Sequence, residues 1–577
     1  MMLATVATSV SAKSKPNIII ILSDDMGYSD VGCYGGEIRT PNLDRLAKQG
    51  VRFTQFYNTA RCCPTRASLL TGLYPHQAGL GGMTTKNKND RRKEFEHHPG
   101  YIGELSENCV TIAQVLKTAG YTNYAVGKWH VAANIDPEGA KYNWPLQRGF
   151  DKYYGTIRGA NSYWDPGTLV RNNTMISAFN DPEYHSDHYY YTDALSDNAV
   201  NYIKQNDSSK PFFMYLAYTA AHWPMHAPEK EIEKYKGVYD NGWDYIREKR
   251  YEKLKELGLI DKNWSMSPSE NKGWEKEENK PWMVRRMETY AAMVDVMDQG
   301  IGRIIRTLKE KGEFENTLIF FLQDNGACAE ENGSSGEIIP ANWESMPLHP
   351  MKKEEIQTEM IPVYTRDGRP VLQGYGVMPG PENTHVAYGQ EWANVSNTPF
   401  RLYKKWNHEG GIATPLIVCW PNQIKGNNEL RDQPGHLIDL MATCVAVSGA
   451  NYPEKWDGKS IIPMEGKSLV PAFANKDIDR DYLIFEHMGN RAIRVGDWKL
   501  VHQEMKVKGA KVNPLATADE WELYNMKSDR TELHNLAYQY PDKVKQMIDL
   551  WYKEAKRTFM YDENLNLKDI NNAGSKE

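Results

Sequence analysis

From Asn17 onward the chain alternates short apolar runs with stretches of helical periodicity. "NIIIIL" (17–22) is a continuous β-branched run, the pattern of a strand covered on both faces. "TPNLDRLAKQG" (40–50) then predicts a short helix, with Thr40 as N-cap, Pro41 at the first helical position and Gly50 just past the end. The alternation continues through "TIAQVLKTAG" (111–120, helix), "YTNYAVG" (121–127, strand), "PFFMYLAYTAAH" (211–222, strand), an amphipathic helix over 290–312 and "TLIFFL" (317–322, strand). Helices alternating with apolar strands predict an α/β fold built on a large, mostly parallel sheet sandwiched by helices. Ligands of such sheets bind at the carboxyl ends of the strands.

Two stretches interrupt the pattern. Residues 229–285 are dense in Lys, Glu and Trp, and residues 329–400 are rich in Gly, Pro and Asn without periodicity. They read as solvated surface mixed with long insertions that line a substrate cleft. After about residue 475 the texture changes to short antiparallel strands, "YLIFEH", "RAIRVGDWKLVHQ" and "WELYN", closed by an amphipathic helix over 541–559. The opening "MMLATVATSVSAKSKPN" has the form of an apolar h-region with a small-residue cleavage site at Val10-Ser11-Ala12. The expected organisation is therefore a signal-peptide remnant (1–12), a main catalytic unit (13–475) and a small C-terminal domain of antiparallel sheet plus helix (476–577), with the protein exported.

Composition narrows the choice of partner. With 577 residues, 40% apolar and 25% charged, the chain is an ordinary globular protein too large for one core. A net charge of -6 gives no reason to expect nucleic acid, and no run of eighteen apolar residues exists to span a membrane. Seven scattered cysteines do not form a disulfide framework, and monomer and dimer both stay open.

Candidate chemistry gathers at the predicted strand ends. The first strand runs into Asp24-Asp25 and the strand at 317–322 into Asp324-Asn325; if they are parallel, three carboxylates and an amide meet at one edge. Such a cluster repels itself without a cation, and oxygen ligands suit Ca²⁺ or Mg²⁺ over zinc, although each piece alone is also a common capping turn. Lys128 and His130 in "AVGKWH" project to one side of an extended chain, His222 ends another strand, and Lys404 precedes the glycines of "EGG". Singly, each is more often a surface group. Together they describe a pocket for a small polar anion. In "RCCPTRASLLTG", Pro64 can open a helix with Cys62 at its N-terminus, where the macrodipole favours an anion, and Arg66 lies one turn on.

"PNIIIILSDDMGYSDVGCYGG", "TPNLDRLAKQGVRFTQFYNTARCCPTRASLLTGLYPHQAG", "GKWH", "AAHWP", "QDNG" and "EGGIATPLIV" occur here in the order of the formylglycine-dependent sulfatases of the alkaline phosphatase superfamily, which the sequence resembles over most of its length. In texture it is similar to the bacterial arylsulfatases and glycan sulfatases. Thr65 departs from the Ser frequent in that family, and Cys63 is unusual beside the key cysteine.

The resemblance implies a sulfuric ester hydrolase in which a formylglycine-generating maturase, acting on residues 62–66, oxidises Cys62 to a formylglycine nucleophile. It implies one Ca²⁺ per chain, held by Asp24, Asp25, Asp324 and Asn325 and touching residue 62. Arg66 and Lys128 would stabilise charge, His130 would act as base, and His222 with Lys404 would hold the ester and protonate the leaving alcohol. A bacterial periplasmic location follows from the resemblance together with the leader. The expected substrate is a sulfated sugar, with His487, Asn490 and Arg491 as candidate contacts from the small domain. The alternatives are a broad-specificity arylsulfatase, a phosphoesterase using a second metal at His436 and Asp439, and an inactive glycan-binding homologue.

Overall fold

A computed structural model describes residues 15–84, 98–426, 428–503 and 521–561, so the expected leader 1–12 lies outside the described residues. The 17–22 run forms β1 (Asn17–Ser23), buried along its whole length. Its neighbours in chain order are β2 (Val51–Tyr57), β3 (Thr122–Gly127), β4 (Lys152–Thr156), β5 (Leu169–Arg171), β6 (Thr174–Met175), β7 (Phe212–Ala217), β8 (Thr317–Gln323), β9 (Ala413–Cys419), β10 (Glu429–Arg431) and β11 (Gly435–His436). They join in one sheet of order β10-β2-β9-β8-β1-β7-β3-β4-β5-β6, with β11 also on β2.

Successive side chains of β1 point to opposite faces, and each face meets a different layer. Ile19 and Ile21 pack with Leu195, Tyr202, Met293 and Ile301 of the helices Tyr191–Gln205 and Lys280–Glu310. Ile18 and Ile20 pack with Leu69, Leu70, Ile112 and Met441 of the helices Cys62–Thr71, Ile112–Thr118 and Asp439–Ser448. Both faces are dry, which is why the strand needs no polar alternation.

Strand direction positions the site. β7 and β8 flank β1 in parallel, and β3 continues in parallel beside β7. β9 is reversed, antiparallel to both β8 and β2. Two reversals restore the direction, so β2 runs with β1. The carboxyl ends of β1, β2, β3, β7 and β8 and the amino end of β9 therefore share one edge.

The helix expected from 290 begins instead at Lys280, where Asn279 Oδ1 accepts from Trp282 N at 3.4 Å. Buried Trp282, Met283, Arg286 and Met287 extend its apolar face into the Lys- and Glu-rich stretch, whose polarity masks the periodicity. Thr40 does not cap its own helix: its Oγ1 accepts from Gly32 N at 2.8 Å and donates to Asp44 at 3.2 Å.

After a short hairpin, β12 (Lys455–Trp456) and β13 (Lys459–Ser460), the chain forms an antiparallel meander of β14 (Leu483–His487), β15 (Asn490–Val495), β16 (Trp498–His502) and β17 (Trp521–Asn525). The helix Pro541–Arg557 covers it with buried Trp551. Ile484, Ile493 and Leu500 of this small sheet belong to the same apolar cluster as Leu69 and Leu440, so the two sheets share a core. All seven cysteines are free.

Candidate active site

Six chain segments deliver side chains to the common edge. β1 supplies Asp24 and Asp25, β8 supplies Asp324 and Asn325, and β7 leads to His222. β3 stops at Gly127, and His130 is turned into the left-handed region (φ 54), so Lys128 and His130 reach the site through a bend rather than along one side of an extended strand. Lys404 arrives just ahead of β9, whose reversal is what brings it to this edge. Beyond β2 the helix starts at Cys62 itself, with Arg61 as N-cap and Pro64 inside the first turn, where its missing N–H costs nothing.

The charged groups interlock. Arg66 Nη2 lies 2.9 Å from Asp324 Oδ2 and 3.4 Å from Asp24 Oδ2, while its Nη1 donates to Lys128 O (3.2 Å) and the Tyr215 hydroxyl (3.3 Å). Lys128 Nζ meets Asp24 Oδ2 at 2.6 Å. Asp25 receives Lys404 Nζ at 2.8 Å, Asn325 Nδ2 at 2.7 Å and, at 3.3 Å, His222 Nε2. The Cys63 thiol and a ring nitrogen of His130 are both within hydrogen-bonding reach of the Cys62 sulfur. Asp24, Asp25, Asp324, Arg66 and Lys128 are each no more than 1% exposed.

Burial at this density moves the protonation equilibria. Burial and the adjacent Asp24 charge push Asp324 well above the carboxylate range. Burial raises Asp24 as well, against the pull of Lys128 and Arg66. Burial also acts on Asp25, but Lys404, His222 and Lys128 outweigh it and hold that carboxyl low. The hydrogen bond from Cys63, aided by Lys128 and His130 against burial, holds the Cys62 thiol well below its ordinary value. Burial depresses His130 and His222 to about 4 each, so both rings are neutral near pH 7.

Two acceptors in this cluster, Asp24 Oδ1 and Asn325 Oδ1, are buried without a hydrogen-bond partner among the described residues. Buried carboxylate oxygens are seldom left so. Ligand atoms of Asp24, Asp25 and His222 also lie within 4.8 Å of one another. An oxygen-rich set with orphaned acceptors and mutually repelling charges fits a hard divalent cation.

Asp25, Ala60, His130, Leu402, Lys405 and Met488 are non-glycine residues with φ between 54 and 85°. Of these, Asp25 and His130 belong to the site, Ala60 O accepts from Lys405 N at 2.8 Å, and Met488 Sδ lies 3.8 Å from Arg61 Nη1. Each carries backbone strain on the order of 1 kcal/mol or more, which the surrounding contacts must hold in place.

The small-domain candidates occupy different positions. His487 is buried near Arg61, Glu486 and His76. Asn490 Nδ2 donates to Lys405 O at 3.2 Å and its own carbonyl accepts from Asn407 Nδ2 at 2.7 Å. Arg491 donates to the Tyr552 hydroxyl at 3.2 Å and lies over the Trp551 ring, on the terminal helix. The small sheet and the loop after it also grip the segment around Lys404. Arg401 and His408 meet Glu522 at 3.2 and 3.3 Å, and Glu409 meets Lys499 at 2.8 Å and Arg530 at 2.7 Å. Asp439 accepts from the His436 backbone N at 2.8 Å and pairs with Arg480 at 2.5 Å, and His436 Nδ1 accepts from Ile438 N at 3.3 Å.

Sequence reading overlooked Arg61, Trp223, Glu330 and Lys405. Glu330 pairs with Lys405 at 2.6 Å, accepts from Trp223 Nε1 at 3.1 Å and sits in the field of Arg61. Glu330 falls five residues after Asn325 in the aperiodic stretch, and only its closeness to "QDNG" marks it.

The doubly covered, mostly parallel sheet with its charged cluster at one edge is an α/β architecture whose ligands bind at the carboxyl ends of the strands. A family model described as Sulfatase matches residues 16–450, and one described as N-sulphoglucosamine sulphohydrolase, C-terminal, matches residues 400–559. An uncharacterized sulfatase of Schizosaccharomyces pombe is 34% identical over 93% of this chain and 93% of its own. An arylsulfatase of Klebsiella aerogenes is 32% identical over 79% of this chain and 92% of its own. A solved structure titled as a complex with k-i-k-neocarrahexaose superposes with a TM-score of 0.61 at 24% identity, over 94% of this chain and 93% of that one, and shares the fold. The chain belongs to the sulfatase family, enzymes that hydrolyse sulfate esters.

Proposed function

We propose that this sulfatase removes sulfate from a carbohydrate, with Cys62 converted to formylglycine by a maturase that reads residues 62–66, and with Ca²⁺ held by Asp24, Asp25, Asp324 and Asn325. The carrying observation is that the Cys62 sulfur, at a helix N-terminus, faces His130 and Lys128 while Arg66 of the same helix grips the carboxylate cluster. When present, the hydrated aldehyde would serve as nucleophile and the cation would offset sulfate charge.

The chain's own groups supply the rest. Arg66 and Lys128 are fixed cations whose cost of burial is met by Asp24 and Asp324, so they neutralise an incoming anion without reorganising. His130, neutral beside residue 62, accepts a proton there. His222 and Lys404 share Asp25 and face the departing alcohol. An anionic ester beside His222 would raise its pKa and so favour the protonated ring that the leaving oxygen needs. Dividing the displacement into two steps lowers each barrier.

A sugar substrate is supported by the insertion that brings Glu330 to Trp223 and Lys405 at the pocket rim, and by the oligosaccharide complex of the structural relative. Across a panel of positional sulfo-sugars and nitrophenyl sulfate, we expect one sulfo-sugar to turn over fastest; turnover of the aryl ester alone would refute the sugar assignment. The aryl-only result would leave a broad arylsulfatase as the reading. A second metal set for a phosphoesterase is not supported: among the described residues neither His436 nor Asp439 joins a cluster of metal-ligating side chains, and Asp439 is paired with Arg480. Exhaustive chelation should suppress turnover, and added Ca²⁺ should restore it; full activity in the stripped protein would overturn the metal assignment.

A further inference from the structure

Cys63 has no part in the chemistry above, yet it is fully buried against that chemistry's key residue. The two sulfurs of Cys62 and Cys63 and a ring nitrogen of His130 lie within 4.8 Å of one another. We propose that in chains whose Cys62 is still a cysteine, these three side chains form a binding site for a soft or borderline divalent cation such as Zn²⁺.

The donor set carries the assignment. Two thiolates and an imidazole are ligands of zinc, whereas the neighbouring cluster of Asp24, Asp25, Asp324 and Asn325 offers mainly oxygen to a hard cation. Ligand type thus separates two cation sites on one edge. Tetrahedral bonds of about 2.3 Å to sulfur put ligand atoms roughly 3.8 Å apart, so closing the present spacing takes a contraction of about 1 Å or less. The His130 Nδ1 is buried and makes no hydrogen bond among the described residues. The ring is also held in place: a Cβ on Gly159 would come within 2.2 Å of it, so the backbone of that loop lies flat against the imidazole. Both cysteines sit in the first turn of the Cys62–Thr71 helix, where the positive end of the dipole favours thiolates. Three protein ligands leave a fourth position for water, the arrangement of an open zinc site.

Conversion of Cys62 removes one sulfur and leaves only Cys63 and His130. The site therefore distinguishes unconverted from converted molecules, and a bound cation keeps the Cys62 sulfur from other oxidation. This inference depends on the thiol form alone and does not depend on the sulfate chemistry.

The test uses full-length protein made without a maturase, with the Cys62 thiol verified by peptide mass, in excess Ca²⁺ and a phosphine reductant. Titration with Cd²⁺ or Co²⁺ should develop a thiolate-to-metal charge-transfer band that saturates at one equivalent and is displaced by Zn²⁺. Cys63→Ser, checked for native circular dichroism, should lose much of the band and bind about tenfold or more weakly, the scale of a damaged ligand shell. Fully converted parent protein, which also keeps one sulfur, should likewise lose much of the band and bind more weakly. A missing band in the unconverted parent would overturn the proposal, as would an undiminished one in Cys63→Ser or in converted protein.

Discussion

Cys62→Ala is expected to abolish turnover, by on the order of 10⁴-fold or more, the scale on which loss of a catalytic nucleophile reads. The fold should survive, because the helix that begins at Cys62 is anchored by fully buried Leu69 and Leu70 rather than by the sulfur. Cys63→Ala should keep the greater part of the activity, since Cys63 neighbours residue 62 but, among the described residues, makes no ion pair or hydrogen bond to a carboxylate, lysine or arginine of the cluster. Sulfate release measured on both variants beside a thermal melt checks this. Equal losses in the two would mean that the nucleophile is assigned to the wrong cysteine.

The second large effect is on stability. Glu409 is fully buried and accepts from Lys499 at 2.8 Å, Arg530 at 2.7 Å and the Tyr57 hydroxyl at 3.1 Å, while its backbone N–H donates to Glu532 at 2.8 Å. Glu409→Ala leaves two buried cations short of a partner and should cost about 3–5 kcal/mol in denaturant unfolding. The same carboxyl predicts acid sensitivity. Burial alone would raise its pKa, but Lys499 and Arg530 outweigh it and bring it down to about 2, and His408 and Arg401 do the same for Glu522. A carboxyl lowered by folding stabilises fully above its unfolded value of about 4.5 and loses that contribution as pH falls through its folded value. Stability should therefore fall between about pH 4.5 and 2 in the parent, and less steeply in Glu409→Ala. An unchanged denaturation midpoint in the variant would remove the network from the account.

What the sequence discloses depends on how local the cause is. β1, β7 and β8 are legible because strands dry on both faces need unbroken apolar runs, and Asp24 and Asp324 are legible because they follow those runs directly, whereas β7 stops at Ala217 and His222, expected to end that strand, arrives from the loop beyond it. The direction of β9 is not legible. Nothing in "ATPLIVC" records that it lies antiparallel between β8 and β2, yet that reversal delivers Lys404. Capping residues mislead in a similar way: Thr40 has the right type and place, but its hydroxyl is drawn off to Gly32 and Asp44 by tertiary contact. Glu330 and Lys405 are invisible because their partnership spans an aperiodic loop and a left-handed turn.

The grip of the small sheet on residues 401–409 has a consequence for how this architecture can be inherited. Lys404 reaches the pocket from a segment whose far side is fastened to Glu522, Lys499 and Arg530, and whose carbonyl at Lys405 is fastened to Asn490. A lineage that exchanged its small sheet for another would inherit a mismatched clasp and a displaced lysine. The two sheets must then descend and diversify as one unit, and chimeras joined between them should keep activity only when residues 401–409 travel with the sheet that holds them.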